Sequence, residues 1–155
     1  MRSRLLTLLG AAVLVSALVV PSLVLAGGNP ANKLKAHMTG DQVVGNGAPA
    51  GKGNARVTLR PHKQKICFRI AYRSIGPTKG LNAAIYKGKK GQNGALVQTL
   101  FTGDRSSPVE GCAKNVAKAD MKAIRQNPKS FNVDVKTDKY KATGAIRGQL
   151  RPRTG

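Results

Sequence analysis

From Lys33 onward, apolar and polar residues alternate with period two. Leu34, Ala36 and Met38 alternate with Lys35, His37 and Thr39. Val57 and Leu59 stand against Arg56, Thr58 and Arg60. Ile66, Phe68, Ile70 and Tyr72 make the clearest apolar row, with Cys67, Arg69 and Ala71 on the other side. Ala83 and Ile85 form a shorter run, and Leu96 to Phe101 another. Phe131, Val133 and Val135 alternate with Asn132, Asp134 and Lys136, and Ile146 and Leu150 alternate with Ala145, Arg147, Gln149 and Arg151. Successive strand side chains point to opposite faces, so each run predicts a strand with one buried face. Residues 41–54, rich in Gly, Asn, Ala and Pro, and Pro61 to Lys65 supply loops and turns. About seven short strands separated by turn signals predict an all-β, antiparallel β-sandwich.

One stretch breaks the period. Between Ala113 and Gln126, Ala113, Ala117, Met121 and Ile124 fall on one helical face, and Asn127-Pro128 stops it. This predicts a short helical insertion, with Asp120 available as an N-cap for a later start. Lys114, Lys118, Lys122 and Arg125 share an adjacent face. Like charges at that spacing weaken an isolated helix, so packing must hold this one.

The first 26 residues read as an address. Arg2 and Arg4 precede an almost wholly apolar run from Leu5 to Val20, Pro21 breaks it, and Val24-Leu25-Ala26 has peptidase-type small-residue spacing. That is the layout of a secretory signal over residues 1–26, followed by a polar linker at 27–32 and one domain at 33–153. The alternative is an uncleaved anchor, since about 20 apolar residues span a bilayer. No second long apolar run follows, so no transmembrane segment remains after cleavage. No Cys near Ala26 offers a lipid attachment point. Outside the cytosol two Cys in a small domain usually pair, which predicts a Cys67–Cys112 disulfide; two buried free thiols are the alternative.

Charge narrows the function. Lys and Arg number 27 against 6 Asp and Glu, a net charge of +21, and loss of Arg2 and Arg4 on cleavage leaves +19. At 41% hydrophobic, the chain can still build a core, so it is not a disordered polyelectrolyte. With two Cys and two His, a closed zinc site would need all four. His37 sits on the polar face of the first strand and His62 in a turn, so the two are not expected to share a site. The chain has no Gly-x-Ser-x-Gly elbow, Walker loop or His-Glu-x-x-His. Asp134 and Asp138 could sit near one strand end, but among so many cations a raised carboxyl pKa is not expected. These absences predict a non-enzymatic protein without a cofactor.

The chain also resembles a known family. Thr39-Gly40-Asp41-Gln42-Val43-Val44, Gly51-Lys52-Gly53-Asn54-Ala55 and Ile66-Cys67-Phe68-Arg69-Ile70 are followed by Ala83-Ala84-Ile85-Tyr86-Lys87-Gly88 and Gly91-Gln92-Asn93-Gly94-Ala95-Leu96-Val97. Asn127-Pro128, Val133-Asp134-Val135-Lys136-Thr137 and Gly144-Ala145-Ile146-Arg147-Gly148-Gln149-Leu150 complete the series. In order and spacing this resembles the CHRD domain, first named from chordin and common in secreted bacterial proteins. The resemblance implies a Greek-key sandwich like that of copper/zinc superoxide dismutase, and a Cys pair. The family pattern carries His where this chain has Ala84, Tyr86 and Lys136. A metal or redox role is therefore the alternative reading of the family, and the residues that would carry it are replaced here.

The remaining expectation is binding. If neighbouring strands pair as in the family, Lys87 and Lys136 would converge on the vacated site. With Lys89, Lys90 and Arg147 they would make a patch for polyanions: cell-wall polymer, acidic polysaccharide, lipid head groups or extracellular DNA. Specific nucleic-acid recognition is not expected, because three Tyr and three Phe, mostly spent on the core, leave no stacking platform. The location implied is secreted or bound to the cell envelope.

Overall fold

The period-two segments form strands. A computed structural model describes residues 32–153; the expected signal over residues 1–26 and the expected linker up to residue 31 lie outside the described residues. The strands are β1 (Lys33–Thr39), β2 (Lys52–Arg60), β3 (Lys65–Arg73), β4 (Asn82–Lys87), β5 (Leu96–Thr102), β6 (Val109–Ala113), β7 (Phe131–Lys136), β8 (Ile146–Gln149) and β9 (Arg151–Pro152). One α-helix, α1 (Lys118–Gln126), lies between β6 and β7.

The expected antiparallel all-β class holds, but the layering differs. Hydrogen bonding runs through a single sheet in the order β5-β4-β7-β8-β1-β2-β3-β6, and β9 pairs with β1 beyond β8. The end strands β5 and β6 lie against each other without joining the ladder, so the sheet is nearly closed into a barrel. Strand twist of one hand accumulates across a wide sheet and brings its edges together. The interior is filled by the predicted faces: Leu34 and Met38, Val57, Ile66 and Ile70, Ile85, Val133 and Val135, and Ile146 are all buried.

Two elements depart from expectation. Strand β6 was not legible, because Gly111 occupies the position where a third inward apolar residue would complete the alternation of Val109 and Ala113. The Phe68 ring fills that space: a Cβ on Gly111 would lie 3.1 Å from Phe68 Cζ. Ala113 consequently belongs to a strand and not to the helix. The helix starts at Lys118 with Ala117 at its N-cap and no side-chain cap, so Asp120 lies inside the first turn instead of capping it. A carboxylate there still favours the positive end of the helix dipole. Met121 and Ile124 anchor α1 in the core.

Cys67 and Cys112 are disulfide-bonded and stand directly opposite each other in the β3–β6 pair. The link therefore fastens the end strand β6 to its neighbour.

Candidate functional site

The register of β4, β7 and β8 builds an unusual outer face. Ala84 pairs with Asp134, and Tyr86 with Asn132. Asp134 pairs in turn with Arg147, and Asn132 with Gln149. Side chains on one face recur every second residue, so Ala84, Tyr86, Asn132, Asp134, Lys136, Arg147 and Gln149 share the face opposite the core. Outer faces are normally wet, yet Ala84, Asn132, Asp134 and Arg147 are buried.

Loops cover them. Asn132 Nδ2 and Gln149 Nε2 both donate to the Gly88 carbonyl, and Arg147 Nη1 donates to the Gln92 carbonyl. These bonds hold the β4–β5 loop, residues 88–95, over the sheet. From the other side Gly144 presses on the Asp134 carboxylate so closely that a Cβ there would collide with it.

Under this cover Arg147 Nη2 donates to Asp134 Oδ2 at 3.0 Å, an ion pair with both side chains buried. Burial pushes the Asp134 carboxyl up to about 6, against the lowering effects of the Arg147 hydrogen bond and charge and of Lys136. The expectation of an ordinary carboxyl is corrected here, because desolvation outweighs the neighbouring cations. Asp138 does not join it; it lies in the turn after β7, beside Gly80 of the β3–β4 loop.

The structure gathers positions 84, 86 and 136 on neighbouring strands, but not in the expected way. Lys136 Nζ sits 5.2 Å from the centre of the Tyr86 ring and donates to the Lys141 carbonyl at 3.3 Å. An ammonium over an aromatic face is a cation–π contact. Lys87 does not converge with Lys136. It pairs with Phe131, whereas Lys136 pairs with Asn82 at the other end of the β4–β7 ladder, and the odd step in register puts the two on opposite faces. Arg147 is likewise not a surface cation, because it is buried against Asp134. His37 Nδ1 lies 3.1 Å from Asn54 Oδ1 on the exposed face of β1, and His62 lies in the turn after β2 beside Lys118, Lys122 and Arg125 of α1, so the two imidazoles belong to separate regions.

Lys90 enters a group that sequence spacing did not reveal. Lys90, Lys129 and Arg151, with Gln42 and Gln149, line an open pocket of about 240 Å³. No carboxylate lines it. The five residues come from four separate segments, and Gln149 Nε2 helps to join them by donating to the Lys129 carbonyl at 2.8 Å as well as to that of Gly88.

The aromatic side chains are committed elsewhere. Phe68 and Phe101 stack with ring centres 5.9 Å apart, Phe131 is buried, and Arg105 covers Phe101. The Tyr72 hydroxyl donates to the Arg105 carbonyl, and Tyr140 carries Lys139 over its ring.

A family model described as CHRD domain matches residues 34–150. No curated protein and no solved structure gives a significant match.

Proposed function

The chain belongs to the CHRD domain family, and on that premise we propose that it is an exported domain that works by binding, without catalysis, and that its ligands are polyanions. The carrying observation is the carboxylate-free pocket of Lys90, Lys129 and Arg151. Cations this numerous are normally answered by carboxylates, but here Asp134 is consumed by Arg147 and Glu110 by Arg69. The pocket cations are left for an external anion. A disulfide between the end strand and its neighbour fits an oxidising location outside the cytosol. The signal-type N-terminus supports the same destination.

The metal or redox reading of the family is not favoured by the chemistry on the outer face. Where the family pattern carries His, this chain offers a methyl, a phenol ring and an ammonium. The last two are already in contact, and a cation held at that point repels a metal ion.

Retention of the secreted protein on heparin and on a teichoic acid resin tests the binding reading. Three ionic contacts correspond to a roughly 40-fold loss of affinity for a fourfold rise in salt. Retention that barely changes between low and moderate salt, or no retention at all, removes the electrostatic reading.

A further inference from the structure

We propose that the pocket formed by Gln42, Lys90, Lys129, Gln149 and Arg151 is a preformed site for one sugar unit bearing a tetrahedral oxyanion, a phosphate or sulfate ester on a polysaccharide. The inference rests on the polyanion reading and narrows it to one place and one ligand class.

The cations account for the charge. Three of them border about 240 Å³ with no carboxylate to compete. That space is below the roughly 300–1,000 Å³ of sites that enclose a whole small molecule, so it suits one unit of a chain that continues into solvent.

The glutamines account for the sugar. Gln42 Nε2 donates to the His37 carbonyl at 3.0 Å and to Thr39 Oγ1 at 3.2 Å. Gln149 Nε2 donates to the Gly88 and Lys129 carbonyls. A carbonyl oxygen accepts only, so the amide nitrogens must stand where they do. Both NH₂ groups are thereby spent, and among the described residues neither amide oxygen receives a hydrogen bond. With both NH₂ groups occupied, what these two lining residues have left for a ligand is acceptor capacity. A ligand must therefore donate as well as carry negative charge, which a sugar hydroxyl next to an ester oxyanion does. The deoxyribose-phosphate backbone lacks those hydroxyls, and no aromatic side chain lines the pocket to stack a base.

The walls are held before a ligand arrives. Gln149 bonds the β4–β5 loop to the Pro128–Ser130 turn, the Gly88 amide donates to the Ser130 carbonyl at 2.8 Å, and Arg147 bonds the same loop through Gln92. Positions fixed in advance lower the ordering cost of binding.

The test is calorimetric titration of the secreted protein with glucose 6-phosphate, glucose 6-sulfate and methyl phosphate, with resin retention run in parallel. One-to-one saturable binding is expected for at least one sugar ester, about tenfold tighter than for methyl phosphate, and the preferred ester tells a phosphorylated from a sulfated polymer. Lys90→Gln/Lys129→Gln should weaken that binding about tenfold or more, while Lys63→Gln/Lys79→Gln, which removes equal charge from exposed positions outside the pocket, should leave it intact. Lys90→Gln/Lys129→Gln should also lose more resin retention than Lys63→Gln/Lys79→Gln, which lowers only the general charge. Equal binding of methyl phosphate and the sugar esters overturns the sugar assignment. Equal loss in the two variants, or no saturable binding while retention persists, overturns the pocket and leaves the polyanion reading standing. Tighter binding of single-stranded DNA than of a glycan of matched charge overturns the ligand class. No retention of the wild-type protein removes the broader reading itself.

Discussion

Asp134 and Arg147 face each other across β7 and β8, 3.0 Å apart, on the side of the sheet that faces away from the core, and both are buried. The contact unites the chain's main peculiarities: a scarce carboxylate, an abundant cation, and loops that seal an outer face. It also fastens the loop that carries Lys89 and Lys90, since the same guanidinium reaches Gln92.

Removing the cation should cost more than the pair is worth. Arg147→Met leaves a carboxylate buried without its partner, and breaking a buried pair from one side costs about 3–5 kcal/mol. Asp134→Asn/Arg147→Met should regain part of that loss. Urea unfolding at neutral pH reads both, and a loss below about 1 kcal/mol for Arg147→Met would mean that the pair is solvated in solution.

Acidity gives a second reading of the same residue. The Asp134 carboxyl lies near 3.8 when unfolded and is raised to about 6 in the fold. The folded state therefore holds the proton more tightly, and stability declines as pH rises through that window. The shift corresponds to about 2.4 kcal/mol between pH 4 and pH 7, the remainder of its effect falling below pH 4. Asp134→Asn abolishes this contribution, so the wild-type stability minus that of the variant should fall by about that amount over the interval. A flat or rising difference contradicts the raised pKa. The Arg147→Met penalty should also shrink as pH falls toward 6, because the carboxyl without its Arg147 contact keeps its proton to higher pH.

The Cys67–Cys112 link closes a 45-residue separation and secures a strand bonded on one side only. Loop entropy puts its worth at about 4 kcal/mol, reduced by any structure left in the unfolded chain. Cys67→Ser/Cys112→Ser should lose about 2–4 kcal/mol, with amide exchange rising first in β6. Uniform exchange across the sheet would show that β6 does not open separately.

Two glycines separate conformation from crowding. Gly144 has φ of +104° and abuts the Asp134 carboxylate, whereas Gly76 has φ of +80° with open space around it. Gly76→Ala should cost about 1 kcal/mol, the strain of the left-handed backbone alone. Gly144→Ala should cost at least about 2 kcal/mol more, because the carboxylate must also move off Arg147. Equal costs in thermal unfolding would rule out a tight Gly144–Asp134 contact.

These contrasts mark how far the sequence can be read. Alternation is a local signal, so the inward rows of β1, β3 and β7 were legible, and with them the antiparallel class. Strand β6 was hidden because Gly111 has no side chain to mark the period, and only the position of Phe68 explains it. Cys67 and Cys112 were legible as a pair, but the pairing of β3 with β6 that the link joins was not. At the candidate site Lys90 already belonged to the expected basic patch, whereas Lys129, Arg151 and the two glutamines are brought beside it only by the fold.

By itself the amino-acid order determined which faces are apolar, where turns fall, and that cations far outnumber carboxylates. Those properties depend on residue type and on neighbours one or two positions away. Tertiary structure alone decided that the sheet curls until β5 meets β6, that Asp134 meets Arg147 under a loop, and that Gln42, Lys90, Lys129, Gln149 and Arg151 share one pocket. Each of these depends on register between segments distant in the chain and on what covers them, and burial, not sequence spacing, changes the chemistry of the groups that are covered.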